Sequence, residues 1–338
     1  MRHRMIAVAL LSAGAVWLGG CGDSHDRPRS DGGVIIVRDG APTGDAGPGT
    51  DGAVRPDGAT ADGGPSSGES RFFVLSVLEV GEADPAGDPN IVPGFDVDMH
   101  NTTSMSDPIG CGFIDFTSPP PDDIPGVDNQ LGPILAGVAG TVDIPGAIRS
   151  NIMTGALIVL VEVTGIDSFT SDDSVQVNIY RGVLRPGVTA PMLGASGLLA
   201  PGQTFDIDAR TVRADGAPAT STPGRIVGGR LRAGPTGISL DLDVMAMPFR
   251  LDIGNAQLRF NVAPTSGIDT GVLGGALQVT DVVTTVAMYA PDLEMTIRTI
   301  LSGQADLEAD ATGVCKAISI GLTFEGVSAV KGSVVTVP

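Results

Sequence analysis

Between Gly94 and Phe116 the chain reads GFDVDMHNTTSMSDPIGCGFIDF, with four aspartates, a histidine, an asparagine, a cysteine and no basic side chain. Carboxylates are hard oxygen donors. Asp96-x-Asp98 sets two of them at alternate positions, the opening of the Asp-x-Asp-x-Asn pattern with which loops wrap calcium. Calcium takes roughly six to eight oxygens in irregular geometry, so its ligands can come from a long loop punctuated by Pro and Gly. Asp107, Asp115, Asp128 and Asn129 are the natural further ligands, with Asn101 in reserve. The glycine and closing glutamate of an EF-hand are missing, so only its ligand chemistry is shared. Zinc needs softer donors than one histidine, His100, beside Cys111 can supply. The competing reading is an acidic loop left to water.

The setting sharpens the question. From Phe72 to Ile148 there is no Lys or Arg, yet those 77 residues hold twelve carboxylates. Folding such a segment compactly requires positive charge from elsewhere, either arginines of later strands or a bound cation. Asp167, Asp172 and Asp173, and the pair Asp206 and Asp208, are weaker candidates that read first as turn aspartates and the wet face of strands.

Catalytic constellations are missing by motif: no H-E-x-x-H, C-x-x-C or P-loop occurs, and the strings GPGTDG (47–52) and GPSSG (64–68) match G-x-G-x-x-G and G-x-S-x-G only within an Asp-, Gly- and Pro-rich tract, not at a strand-to-helix turn. A Ser-His-Asp arrangement would have to use His100. The reading therefore leans away from an enzyme. Trp17 is the sole tryptophan and lies near the N-terminus, which disfavours sugar binding by ring stacking.

These residues must be positioned by strands. In GISLDLDV, Ile238, Leu240, Leu242 and Val244 alternate with Ser239, Asp241 and Asp243. FRLDIGNAQLRFNV repeats the alternation twice, and Gly254-Asn255 reads as a two-residue hairpin turn pairing Leu251 with Leu258 and Phe249 with Phe260. Further strands are expected over 71–80, 155–164, 175–181, 204–213, 225–232, 271–280, 282–289, 317–324 and 327–337. Helices are expected over 291–303, after Asp143, and over 128–139. The fold class is mainly β: one large antiparallel sandwich or barrel-like domain over 71–338, with two or three short covering helices. Cys111 and Cys315 are its only cysteines and are expected to pair in an oxidising compartment, two free buried thiols being the alternative.

The N-terminal region sets the expected address. Arg2, His3 and Arg4 precede an apolar run from Met5 to Leu18, too short for a span of about 20 residues. Leu18-Gly19-Gly20-Cys21 resembles the lipobox of bacterial lipoproteins. The resemblance implies loss of residues 1–20, lipidation of Cys21 and membrane anchoring, and Gly22 after the cysteine favours the outer membrane. Residues 21–70, rich in Asp, Gly and Pro, read as a disordered tether. The formal charge is −19, which excludes the basic footprint of a nucleic-acid partner.

PGFDVDMHNTTSMSDPIGCGFIDF, PGVDNQLGPIL and GVLGGALQVTDVV together resemble bacterial surface lipoproteins that carry an Asp/Gly/Pro tether, an Asp-rich Gly-Cys segment and a Pro-Gly-x-Asp-Asn-Gln run. That resemblance implies a shared fold and no particular activity. Three functions follow as expectations. The first is a non-enzymatic, calcium-stabilised envelope lipoprotein of adhesion type with a surface partner. The second is a calcium-dependent module for carbohydrate or another envelope polymer, and the third a hydrolase.

Overall fold

Strands whose alternate residues are apolar need one surface to bury that face, and here they obtain it by closing on themselves. The computed structural model describes residues 68–337 apart from 84–86, 108, 139–142, 245–246 and 263–266. The proposed signal peptide, the lipidation of Cys21 and nearly all of the tether lie outside the described residues.

Eight strands form the barrel: β1 (Glu69–Val80), β4 (Val159–Ile166), β5 (Ser171–Val183), β7 (Thr220–Val227), β8 (Arg230–Val244), β9 (Met247–Val262), β10 (Ile268–Gln278) and β11 (Ala317–Val335). Each runs antiparallel to the next in chain order, and β11 returns to pair with β1, Leu78 opposite Phe324. The result is an up-and-down closed barrel without free edges among these strands. An extra strand, β6 (Gln203–Asp208), joins the far end of β5 antiparallel and of β11 parallel.

Eight strands enclose a space that side chains just fill. Leu75, Leu78, Val161, Ile179, Leu258 and Phe324 are among those that close over a void of about 20 Å3. Phe260 and Phe324 meet edge to face at 5.8 Å. That void has room for little more than one water. The middle of the barrel interior is packed core.

Three expected helices are present: α1 (Leu131–Val138), α2 (Ile144–Thr154) and α4 (Glu294–Ser302), the last preceded by a 3-10 turn at Pro291–Leu293. Asp143 caps α2 by accepting the Gly146 N–H at 2.8 Å, and its Ile148 and Ile152 are buried.

Four expectations are corrected. The strands expected over 317–324 and 327–337 are one continuous strand, β11. Residues 282–289, read as a strand, belong to helix α3 (Val279–Tyr289). The β-branched run looks like a strand, but Val279 and Val283 fall at helical spacing and both are buried. Residues 225–232 are two strands, not one, because Gly228 and Gly229 both take positive φ (61° and 81°) and make a tight turn between Val227 and Arg230. Gly254-Asn255 is no turn: β9 runs straight through it. Leu251 pairs with Leu240, and Phe260 with Leu231, both on β8. Asn255, at φ 51°, instead sits where the register shifts against both neighbours, a bulge that bends the strand around the barrel.

Candidate metal centre on the barrel wall

The segment between β1 and α1 is draped over the outer wall, and Asn129 holds it there. Its Nδ2 donates to the carbonyls of Gly81 (2.6 Å) and Pro93 (2.9 Å), while its Oδ1 accepts from the Gly132 (3.3 Å) and Gly321 (3.1 Å) N–H groups. The side chain is 1 % exposed and its amide is fully occupied. A Cβ on Gly321 would lie 2.3 Å from the Pro93 carbonyl, so a bare backbone in β11 is what admits the loop. Asn129, an expected ligand, is a clamp and does not join the carboxylate group.

Short strands β2 (Phe116–Thr117) and β3 (Pro125–Val127) stiffen the loop. Cys111 and Cys315 form the expected disulfide, with Cα atoms 6.2 Å apart, tying the loop to the start of β11. Asp122 ion-pairs with Arg230 of β8 and, at 3.1 Å, with Arg259 of β9. The Arg259 guanidinium also lies 5.2 Å from the centre of the Phe95 ring. Later-strand arginines thus supply part of the missing positive charge.

They do not supply it to the aspartates expected to bind metal. Asp96, Asp98 and Asp128 each place a carboxylate oxygen within 4.8 Å of the others. Asp128 is 4 % exposed, and its Oδ2 accepts the Val97 N–H at 2.7 Å. Burial pushes its carboxyl up to about 9, helped by the charges of Asp98, Asp115 and Asp306. Asp96 is raised too, first by burial and then by Asp98. Its Oδ1 is buried without a hydrogen-bond partner. Asp115 stands close enough to feel both Asp96 and Asp98. Burial, with those charges behind it, raises Asp115 to about 6, although its Oδ2 accepts the Thr102 N–H at 2.6 Å.

Asp107 is placed differently. One of its oxygens meets His100 Nε2 at 2.8 Å and the other accepts the Ile109 N–H at 3.0 Å. That contact raises His100 and lowers Asp107, as a paired imidazolium and carboxylate should. Asp172 accepts three turn N–H groups, from Asp167, Ser168 and Ser174. Asp208 pairs with Arg210 and Arg181, and Asp206 accepts the Ser333 N–H. Asp172 has the turn role its spacing suggested, whereas Asp206 and Asp208, expected on the wet face of a strand, are buried and held by these partners.

Asp306, which sequence reading did not single out, lies behind the group. Its two oxygens accept the N–H and O–H of Ser319, whose Oγ in turn accepts the Gln130 N–H at 2.7 Å. Burial raises this carboxyl to about 6. No local pattern marks it, because its partner is on β11 and reaches it only through the fold.

The donors at the triad are carboxylate oxygens, which suit a hard cation held in irregular geometry. With His100 on Asp107 and Cys111 in the disulfide, the soft donors that zinc prefers are engaged elsewhere. Comparison of the chain with protein-family models, with curated proteins and with solved structures found no match in any of the three. The likeness to surface lipoproteins therefore stands on the quoted motifs alone.

Proposed function

We propose that this chain is a membrane-anchored cell-envelope lipoprotein, non-enzymatic and of adhesion or envelope-interaction type. In this reading the lipid on Cys21 holds it to the outer membrane, and calcium sets its acidic loop. The observation that carries the metal is the Asp96–Asp98–Asp128 triad. It contains a buried carboxylate oxygen with no partner, and the charges acting on its most buried member are those of other carboxylates. A divalent cation satisfies that oxygen and removes the repulsion at once. Calcium fits better than magnesium, which demands near-octahedral geometry and keeps its waters.

The test is a thermal melt of the purified, oxidised protein in calcium, in magnesium and in chelator. Calcium at about a hundred times its dissociation constant adds about 2.7 kcal/mol. Asp96→Ala and Asp98→Ala should each abolish the rise. An identical melt in calcium and chelator would remove the metal from this proposal.

A second reading, a binding module for carbohydrate or another envelope polymer, is favoured by one further observation. Asp96 also forms part of the wall of an open cleft of about 480 Å3 between the loop and strands β7 to β9. A metal at the triad would stand beside whatever the cleft receives.

A further inference from the structure

The floor of that cleft is unusual for so acidic a chain. Arg225 of β7 lies directly opposite Arg232 of β8, and Arg232 directly opposite Arg259 of β9. Their neighbours Ile226, Leu231, Leu258 and Phe260 are buried in the barrel, so all three arginines stand on the outer face, and all three line the cleft. Like charges directly opposite across a ladder destabilise a sheet. Only one of the three has an ion pair: Arg259 is held on Asp122. Arg225 and Arg232 are exposed and, among the described residues, their side chains make no ion pair or hydrogen bond. Register alone would let any polar residue occupy these positions; three guanidinium groups in a row is a choice that costs stability.

The rest of the lining has a different chemistry. Asp96 and Ser118 come from the loop, Asp173 from β5 and Gln257 from β9, and the Gln257 amide donates to the Asp96 carbonyl at 3.2 Å. Phe95, Ile124 and Val127 give it apolar ground. Guanidinium forks grip phosphate or carboxylate oxygens two at a time. Carboxylate, amide and hydroxyl groups accept from and donate to hydroxyls. A ligand answering both chemistries carries an oxyanion and hydroxyls.

We infer that the cleft over Arg225, Arg232 and Arg259 binds an acidic sugar unit, its phosphate or carboxylate on the two unpaired arginines and its hydroxyls toward Asp96, Asp173 and Gln257. The inference rests on the second reading above, that this face binds an envelope polymer, and adds the chemistry by which it does so. It does not depend on the metal, since the arginine row is fixed by strand register.

The experiment is calorimetric titration of the whole purified protein with glucose 1-phosphate, glucuronate and glucose, in calcium and in chelator. The same titrations are repeated on the double variant Arg225→Ala/Arg232→Ala. Both arginines are exposed and without a side-chain partner, and their removal relieves like-charge repulsion, so the variant should melt at or above the parent; Arg225→Gln/Arg232→Gln serves if it melts below it. At least one charged sugar should bind tenfold or more tighter than glucose, and that preference should vanish in the variant. Preference for glucose 1-phosphate assigns the oxyanion as phosphate, and preference for glucuronate as carboxylate. Equal binding of all three sugars, or a charged-sugar affinity unchanged in the variant, overturns the inference while leaving the polymer-binding reading in place. Absence of any binding in both media removes both.

Discussion

Replacing Asp128 by asparagine should make the metal-free protein more stable and at the same time deprive it of calcium's help. The unfolded carboxyl titrates near 3.8, whereas in the fold burial holds it near 9. The folded state therefore binds the proton more tightly, and stability falls as pH climbs from about 4 toward 9. Between 3.8 and pH 7 the interval is about three pH units, each worth about 1.4 kcal/mol, so keeping Asp128 protonated at pH 7 costs about 4 kcal/mol. An asparagine side chain at this position is neutral at every pH and keeps an oxygen for the Val97 N–H, so it escapes that cost. In chelator at pH 7, Asp128→Asn should melt about 10 °C above the parent, taking about 2–4 °C per kcal/mol for a domain of this size. At pH 4 the two should nearly coincide. If calcium binds as proposed, it supplies the positive charge that the proton otherwise supplies, so it should stabilise the parent and leave the variant almost unmoved. Scanning calorimetry across pH 4–8, with and without calcium, reads all of this. The reasoning is refuted if the variant melts below the parent in chelator at pH 7, or if calcium lifts both alike.

Two further outcomes follow from the same geometry. Asn129→Ala strips partners from four backbone groups at the base of the loop, and at about 1–3 kcal/mol for each buried group left unsatisfied the loss should exceed about 3 kcal/mol, read from urea unfolding. Reducing the Cys111–Cys315 bridge opens a link spanning 204 residues; the chain-entropy model gives about 5 kcal/mol as an upper figure, and a melt unchanged by reductant would show that the bond constrains little.

Most of the barrel was legible because alternation survives wherever one face of a strand is buried, as in Ile238 and Leu240 of β8 or Leu258 and Phe260 of β9. What failed were places where local preference met a stronger tertiary demand. Gly254-Asn255 has the composition of a turn, but each half of β9 finds partners on both β8 and β10, and the closed ladder outweighs the turn. The β-branched residues of α3 suit a strand, yet Val279 and Val283 bury against Cys315 and Ile318 only from a helix. At the site, Asp96, Asp98 and Asp128 could be named from chemistry and spacing. Asn129 could not be told from a ligand, since an amide that clamps backbone and one that binds metal look alike in sequence. The arginine row was invisible for a different reason: Arg225, Arg232 and Arg259 become neighbours only once three strands have chosen their register.

The loop's charges and its clamps are two halves of one device, and they can be uncoupled. Four aspartates that repel would drift apart in a free loop, with no need of a cation. Here they cannot, because Asn129 pins the base to Gly81, Pro93 and Gly321, the disulfide pins Cys111, and Arg230 and Arg259 pin Asp122. On the proposed reading the fold holds an arrangement that is unfavourable when empty and becomes favourable when a cation fills it, which is what preorganisation of a binding site means. If that account is right, the gain from Asp128→Asn in chelator should shrink in an Asn129→Ala background, because a loosened loop has already let the carboxylates separate. Residues that share a network show such non-additivity, with coupling of about 0.5–3 kcal/mol, whereas independent sites add within about 0.5 kcal/mol. Calcium's stabilising effect should weaken in the same background for the same reason. Strict additivity in the double-mutant cycle would mean that the clamp and the carboxylates are independent, and that the repulsion is imposed by some other part of the wall.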